Sequence, residues 1–261
     1  MLDSKSLWAT NLHYLNDATE ITYAREPLRH AIFHMGDHID DSFVPRRKEH
    51  KQLTQALLEA ASAPLRFEAY VFSLSEEKDL LSQWRAYCPH TGYAIGFRVS
   101  ALQALAAKAY SLARCEYDLG AHWGPAVRAH VRDVHAAFET MRLASIATNE
   151  AIEVCSARLL ALVHPYVTTL KHPAFYEERE WRLVSGHGRV PRASLKHRVS
   201  ASMLIPYAII PFDGKERDLI SEIVVGPTPL QALSLASIEG LAQRVGLASN
   251  ISTSKVPYRN L

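Results

Sequence analysis

Along the chain the spacing of apolar residues switches between strand-like and helical periods, and the switches mark out the elements. Leu7-Trp8-Ala9-Thr10 is short and rich in strand formers, and it runs into Tyr14-Leu15-Asn16-Asp17, where Asn and Asp supply a turn or helix cap. From about residue 19 to 41, Ile21, Leu28, Ile32 and Ile39 recur at helical intervals, with Pro27 expected at a turn or kink. A second helix is predicted over 45–61. Residues 67–74 alternate large apolar side chains with others, as a strand does, and Ser75-Glu76-Glu77-Lys78-Asp79 then offers a cap and acidic first turn to a short helix over 80–87. The segment 92–99 reads as a central strand beside the 67–74 strand, its glycines permitting close packing.

Between residues 121 and 170 the helical period returns twice, in Val127, Val131, Val134 and Phe138 and then in Ile152, Cys155, Leu159, Leu162 and Val163, which predicts a helical hairpin or insertion. Strand-like runs follow at 180–184, 204–211 and 220–225, then a helix over 230–245 and a last strand within 250–258. Strands dispersed among helices, without a regular βαβ rhythm or a Gly-rich phosphate loop, predict an α+β fold. The expected architecture is a central, mostly antiparallel sheet with flanking helices.

Composition narrows this picture. The 261 residues are 48% hydrophobic and 21% charged, as in a globular chain with a sizeable core, and no low-complexity stretch marks a boundary. One domain, 1–261, is expected. Lys and Arg number 29 against 27 Asp and Glu, so the charge predicts no nucleic-acid footprint. The cluster Arg46-Arg47-Lys48 with Lys51 reads as the start of a solvated helix. Three widely spaced cysteines fit neither a disulfide framework nor a zinc ribbon, which implies a reducing compartment. With no apolar run of spanning length and no signal-peptide core at the start, no membrane association and a cytoplasmic location are expected.

Candidate chemistry concentrates in Phe175-Tyr176-Glu177-Glu178-Arg179-Glu180-Trp181-Arg182. A strand starting near Arg179 sends Glu178, Glu180 and Arg182 to one face and Arg179, Trp181 and Leu183 to the other. That ionic face is either a solvated edge or the floor of a cleft, where Glu180 accepts hydrogen bonds from a ribose and Arg182 keeps it ionised or binds a phosphate. Ser73, Ser75, Gln83, Trp84, Arg85 and Tyr87 gather hydroxyls, an amide, aromatic faces and a cation within one strand-to-helix turn, as a pocket wall would. Trp84 and Tyr87, three apart, share a helical face that suits either stacking on a planar ring or burial in the core. His30, His34 and His38 line one helical face with Asp37 and Asp41 beside them, but lack the Glu between histidines and the distant third ligand of helical zinc hydrolases. A polar face, with no metal, is expected. No Gly-x-Ser-x-Gly elbow occurs, and Cys88, near Arg85 and His90, lacks a demonstrated base.

Taken together, Leu7-Trp8-Ala9-Thr10 with Tyr14-Leu15-Asn16-Asp17 and Glu20, Phe72-Ser73-Leu74-Ser75 with Asp79, Gln83, Trp84 and Tyr87, Gly92-Tyr93-Ala94-Ile95-Gly96-Phe97, Lys171 with Glu178, Glu180, Trp181 and Arg182, Gly226-Pro227, and the tail from Ser254 to Arg259 resemble a bacterial family catalogued as a domain of unknown function, number twenty-nine seventy-one. In motif order that family is similar to ADP-ribosyltransferase-like proteins. The resemblance implies NAD as bound substrate, Glu180 as the late glutamate at the nicotinamide ribose with Glu178 as second candidate, and Ser73 or Ser75 at the central position. It implies a binding set of Ser75, Gln83, Trp84, Tyr87, Lys171, Arg182 and Arg259, with Tyr87 or Trp84 against nicotinamide. It also implies an opening His-Tyr-Thr type strand before Leu7, which the residues there do not match. The expected function is an ADP-ribosyltransferase-like domain that binds NAD and transfers or cleaves ADP-ribose in a toxin, phage-defence or modification role. Its partners would be a small-molecule nucleotide and an acceptor or partner protein. The alternatives are a non-catalytic protein- or nucleotide-binding module of the same fold and a metal hydrolase built on the His30 face.

Overall fold

The computed structural model describes residues 1–2, 4–15, 20–37, 44–63, 68–88, 92–106, 109–118, 124–186, 188–200, 202–212, 214, 216–247 and 250–257. Strands β1 (Ser6–Asn11), β2 (Tyr70–Ser75), β4 (Tyr110–Arg114), β5 (Glu180–Ser185), β6 (Lys196–Val199) and β7 (Leu204–Pro211) make one sheet, and β3 (Tyr93–Phe97), β8 (Ile220–Val225) and β9 (Asn250–Thr253) make a second. The six-stranded sheet runs in the order β4-β5-β2-β1-β7-β6, and every neighbouring pair in it is antiparallel. The α+β class and the mostly antiparallel sheet are therefore as predicted. In the smaller sheet β3 pairs antiparallel and β9 parallel with β8.

Two cores account for the layers. Helices α1 (Glu20–Asp37), α2 (Val44–Ser62), α5 (Gly124–Leu143) and α6 (Thr148–Thr169) bury one apolar stripe each around Leu28, Leu57, Val131, Phe138 and Leu159. The second core fills the space between the sheets, with Leu7, Tyr70, Leu183 and Ile210 on one side and Ile223 and Val225 on the other. Helices α4 (Val99–Ala106) and α7 (Gln231–Arg244) close it through Leu102, Ala106, Ile238 and Ala242.

Four expectations need correction. The 92–99 strand is neither central nor beside β2: β3 is the edge of the smaller sheet, and its last predicted residue, Val99, opens α4. The more deeply buried β8 takes the middle position instead. Pro27 lies within α1 rather than at a turn, and its neighbours Leu28 and Ile32 are fully buried; tertiary packing outweighs the lost amide. Strands β4 and β6 were not predicted, because Tyr110–Arg114 is too short and Lys196–Val199 too polar to show a period. Glu178 is not on the β5 strand; it ends a 3-10 turn, Pro173–Glu178. The helical hairpin of α5 and α6 lies as predicted, and the basic cluster falls in the first turns of α2.

Strands β1 and β2 part company. They pair only at Thr10↔Val71 and Asn11↔Tyr70, whereas β1 continues along β7 to Ser6 and β2 continues along β5 to Ser75. The sheet is thus forked, and the fork positions the site.

Candidate functional site

A cleft of about 480 Å³ lies over the six-stranded sheet at this fork. Its floor follows from strand alternation. Ser73 faces Arg182 and Ser75 faces Glu180 across β2 and β5, so these four side chains share one face. On the far limb of the fork Trp8 and Thr10 of β1 and Arg198 of β6 project to the same face. The opposite residues, Phe72, Leu74 and Leu183, enter the inter-sheet core. Helix α3 (Leu81–Tyr87) supplies Gln83 and Tyr87, one turn apart, as a wall, and the segment after α6 supplies Lys171, Phe175 and Glu178.

At the centre is a buried ionic cluster. Arg182, 1% exposed, donates from Nε to Glu180 Oε1 at 2.8 Å and from Nη2 to Glu180 Oε2 at 3.1 Å. Its Nη1 donates to the Thr168 carbonyl at 2.8 Å, one of the last carbonyls of α6, which lacks an acceptor role within the helix. Lys171 Nζ donates to Glu180 Oε2 at 2.6 Å and to Glu178 Oε2, and lies 4.9 Å from the centre of the Phe175 ring. The Glu180 backbone N–H donates to the Tyr117 hydroxyl at 2.9 Å.

Burial alone would raise the Glu180 pKa, but the Arg182 guanidinium, reinforced by Lys171, holds it below its ordinary value. Burial likewise opposes the charge on Lys171, and the two carboxylates reverse this and push its pKa up. Both glutamates therefore stand as ion-pair partners of Lys171, with accessibility separating them: 5% of the Glu180 side chain and 17% of the Glu178 side chain is exposed. Of the two open readings of this strand face, the structure gives the cleft floor, because β5 lies between β4 and β2 and is not an edge.

The structure brings together Ser73, Ser75, Gln83, Tyr87, Lys171, Glu178, Glu180 and Arg182. Trp84 does not line this cleft, although it joins Ser73, Ser75, Gln83 and Tyr87 in the lining of a second one. It is 4% exposed, donates its indole N–H to Asp79 at 2.7 Å and packs on Gly226, where a Cβ would come within 2.9 Å of its ring. Asp79 also accepts from the Ser254 hydroxyl and the Lys255 backbone N–H, so the C-terminal segment packs back on α3. Arg259 lies outside the described residues, as do His38 and Asp41. His30 and His34 meet at 2.9 Å between their Nε2 atoms, and among the described residues no group of three or more His, Cys, Asp or Glu is arranged to hold a metal. No described helix is long and apolar enough to cross a membrane.

Sequence reasoning did not name Trp8, Thr10 or Arg198 as site residues, though all of them line the cleft. Trp8 and Thr10 belong to a segment already singled out, and their alternation along β1 was the available signal. Arg198 had none, since its strand was not legible. A second cleft of about 720 Å³ opens between the sheets, lined by Phe72, Leu74, Ile95, Phe97 and Trp181, and shares Ser73, Ser75, Gln83 and Tyr87 with the first.

Residues 83–183 match the model of a family described as Protein of unknown function (DUF2971), and over that stretch the family resemblance holds. The matched segment runs from Gln83 in α3 to Leu183 in β5 and so contains Lys171, Glu178, Glu180 and Arg182, while β1, β2, β6 and β7 lie outside it. No curated protein and no solved structure matches the chain.

Proposed function

We propose that the forked cleft binds an NAD-type dinucleotide and transfers or hydrolyses its ADP-ribose moiety. The observation that carries this reading is the convergence of Ser73 and Ser75 with Glu178, Glu180, Lys171 and Arg182 in one cleft. These residues come from distant parts of the chain, and hydroxyls gathered beside carboxylates suit a ribose that develops positive charge. In the proposed reaction the bond between the ribose C1′ and the nicotinamide nitrogen breaks, its electron pair leaving with nicotinamide. The acceptor, water or a nucleophilic side chain, adds its lone pair to C1′ and gives up a proton to solvent. Glu178, the more accessible carboxylate, meets the ribose; Glu180, buried against Arg182, positions Lys171 and Glu178.

Incubation with NAD and detection of free nicotinamide tests the reading. Wild type is expected to release nicotinamide and Glu178→Gln to lose that activity while remaining folded by circular dichroism. Absence of both nicotinamide release and NAD binding by wild type eliminates it.

One observation favours a second reading, a binding module without turnover. Both carboxylate oxygens of Glu180 are engaged by Arg182 and Lys171. A network so saturated serves to hold a cleft open for a nucleotide as well as to cleave one. Dinucleotide binding without nicotinamide release selects this alternative.

A further inference from the structure

Among the described residues lining the forked cleft, cations outnumber carboxylates, and one side chain carries the difference. These residues include Lys171, Arg182 and Arg198 against Glu178 and Glu180. Lys171 and Arg182 are consumed by those carboxylates. Arg198 has no carboxylate partner among the described residues; its Nη2 donates to the Thr10 hydroxyl at 3.2 Å, across the intervening strand β7. A guanidinium so placed keeps donors free for a planar, bidentate anion.

The neighbouring aromatic group is equally unspent. Trp8 stacks on Tyr207 with ring centres 4.7 Å apart, yet remains 41% exposed. It stands two residues before Thr10 on the same face of β1 and lines the same cleft. A large ring backed by a second ring, with its remaining surface toward a cleft, is a stacking platform for a flat ligand group.

We infer that Trp8, Thr10 and Arg198 form a nucleotide subsite, in which Arg198 binds the phosphate groups and Trp8 stacks on the base. The subsite deepens the dinucleotide reading, on which it rests for the identity of the ligand. It fixes polarity along the cleft: the phosphate-bearing nucleoside end lies on the β1-β7-β6 limb of the fork, and the ribose to be attacked lies on the β2-β5 limb beside Glu178.

The test titrates the full chain with ADP and with adenosine, following tryptophan fluorescence and heat of binding. ADP is expected to quench the fluorescence, and Trp8→Leu to remove that quench. Arg198→Gln, on an exposed strand, is expected to weaken ADP about tenfold or more and to leave adenosine unchanged, and Arg198→Lys to restore part of the ADP affinity. Raising salt should weaken ADP binding to wild type more than to Arg198→Gln. Unchanged ADP affinity in Arg198→Gln, or no binding of ADP by wild type, overturns the inference. The two readings fail separately. Arg198-dependent ADP binding without nicotinamide release from NAD removes the transferase and keeps the subsite, whereas nicotinamide release with an unaltered KM in Arg198→Gln removes the subsite and keeps the transferase.

Discussion

Arg182 shows what one side chain contributes when it is sealed from water. An isolated buried guanidinium costs several kcal/mol, and here that cost is offset by two bonds to Glu180 and one to the Thr168 carbonyl. Arg182→Met leaves Glu180 buried with Lys171 as its remaining partner and is expected to lower unfolding free energy by about 3–5 kcal/mol in urea titrations. The double variant Glu180→Leu/Arg182→Met, in which Lys171 keeps Glu178, should recover part of that loss; a double variant as unstable as the single one removes this explanation. Arg179 illustrates the opposite balance. It is a non-glycine residue in the left-handed region, with φ 40°, at the junction of the 3-10 turn and β5. Its ion pair with Glu77 joins two side chains that are each about half exposed, and such a pair contributes little. Relief of about 1 kcal/mol of backbone strain should therefore prevail, so Arg179→Gly is expected to leave stability unchanged or raise it by up to that amount. A loss of more than 1 kcal/mol in the same urea assay would count against this balance.

At the scale of elements, the helical layer carries its own pH response. His135 of α5 stacks on His50 of α2 at 5.7 Å, while His50 bonds Glu139, which Arg142 also holds. Burial first, and the neighbouring His50 second, push the His135 pKa down to about 4, with Glu139 opposing. The folded value lies below the ordinary 6.5, so between them the unfolded chain holds a proton that the folded chain does not. Stability therefore rises with pH through this window and is fully present above it. Acidification from pH 7 to 5 is expected to cost about 2 kcal/mol from this residue alone, and His135→Phe to flatten the dependence. Urea midpoints at the two pH values decide it; an equal slope in the variant rejects the assignment. The fork is also an element-scale property: β1 and β2 are ordinary strands, and the cleft exists because their pairing stops after two residue pairs.

At the scale of the molecule, the cleft lies over the large sheet on the face opposite the inter-sheet core, with Lys171 and Phe175 brought to it by the segment that leaves α6. A ligand bound there touches both limbs of the fork and the segment after α6, so it should stabilise the folded chain as a whole. ADP-ribose at a hundredfold its Kd adds about 2.7 kcal/mol, which for a chain of this size raises the melting temperature by about 5 °C or more. Thermal melts with and without ADP-ribose check this; the absence of any shift at millimolar ligand counts against a nucleotide cleft.

The sequence by itself determined the α+β class, the positions of the long helices, and the pairing of Glu180 with Arg182 on one strand face, because these depend on local periods of two and 3.6. It also singled out Ser73, Ser75, Gln83, Tyr87, Lys171 and Glu178, which lie in segments whose polar and aromatic content stands out locally. Only the tertiary structure decided that β3 leaves β2 for another sheet, that Trp84 is spent on Asp79 and Gly226, and that Arg198 faces Thr10. Each of these is a contact between residues far apart in the chain, set by which apolar faces bury each other, and no local period records that choice.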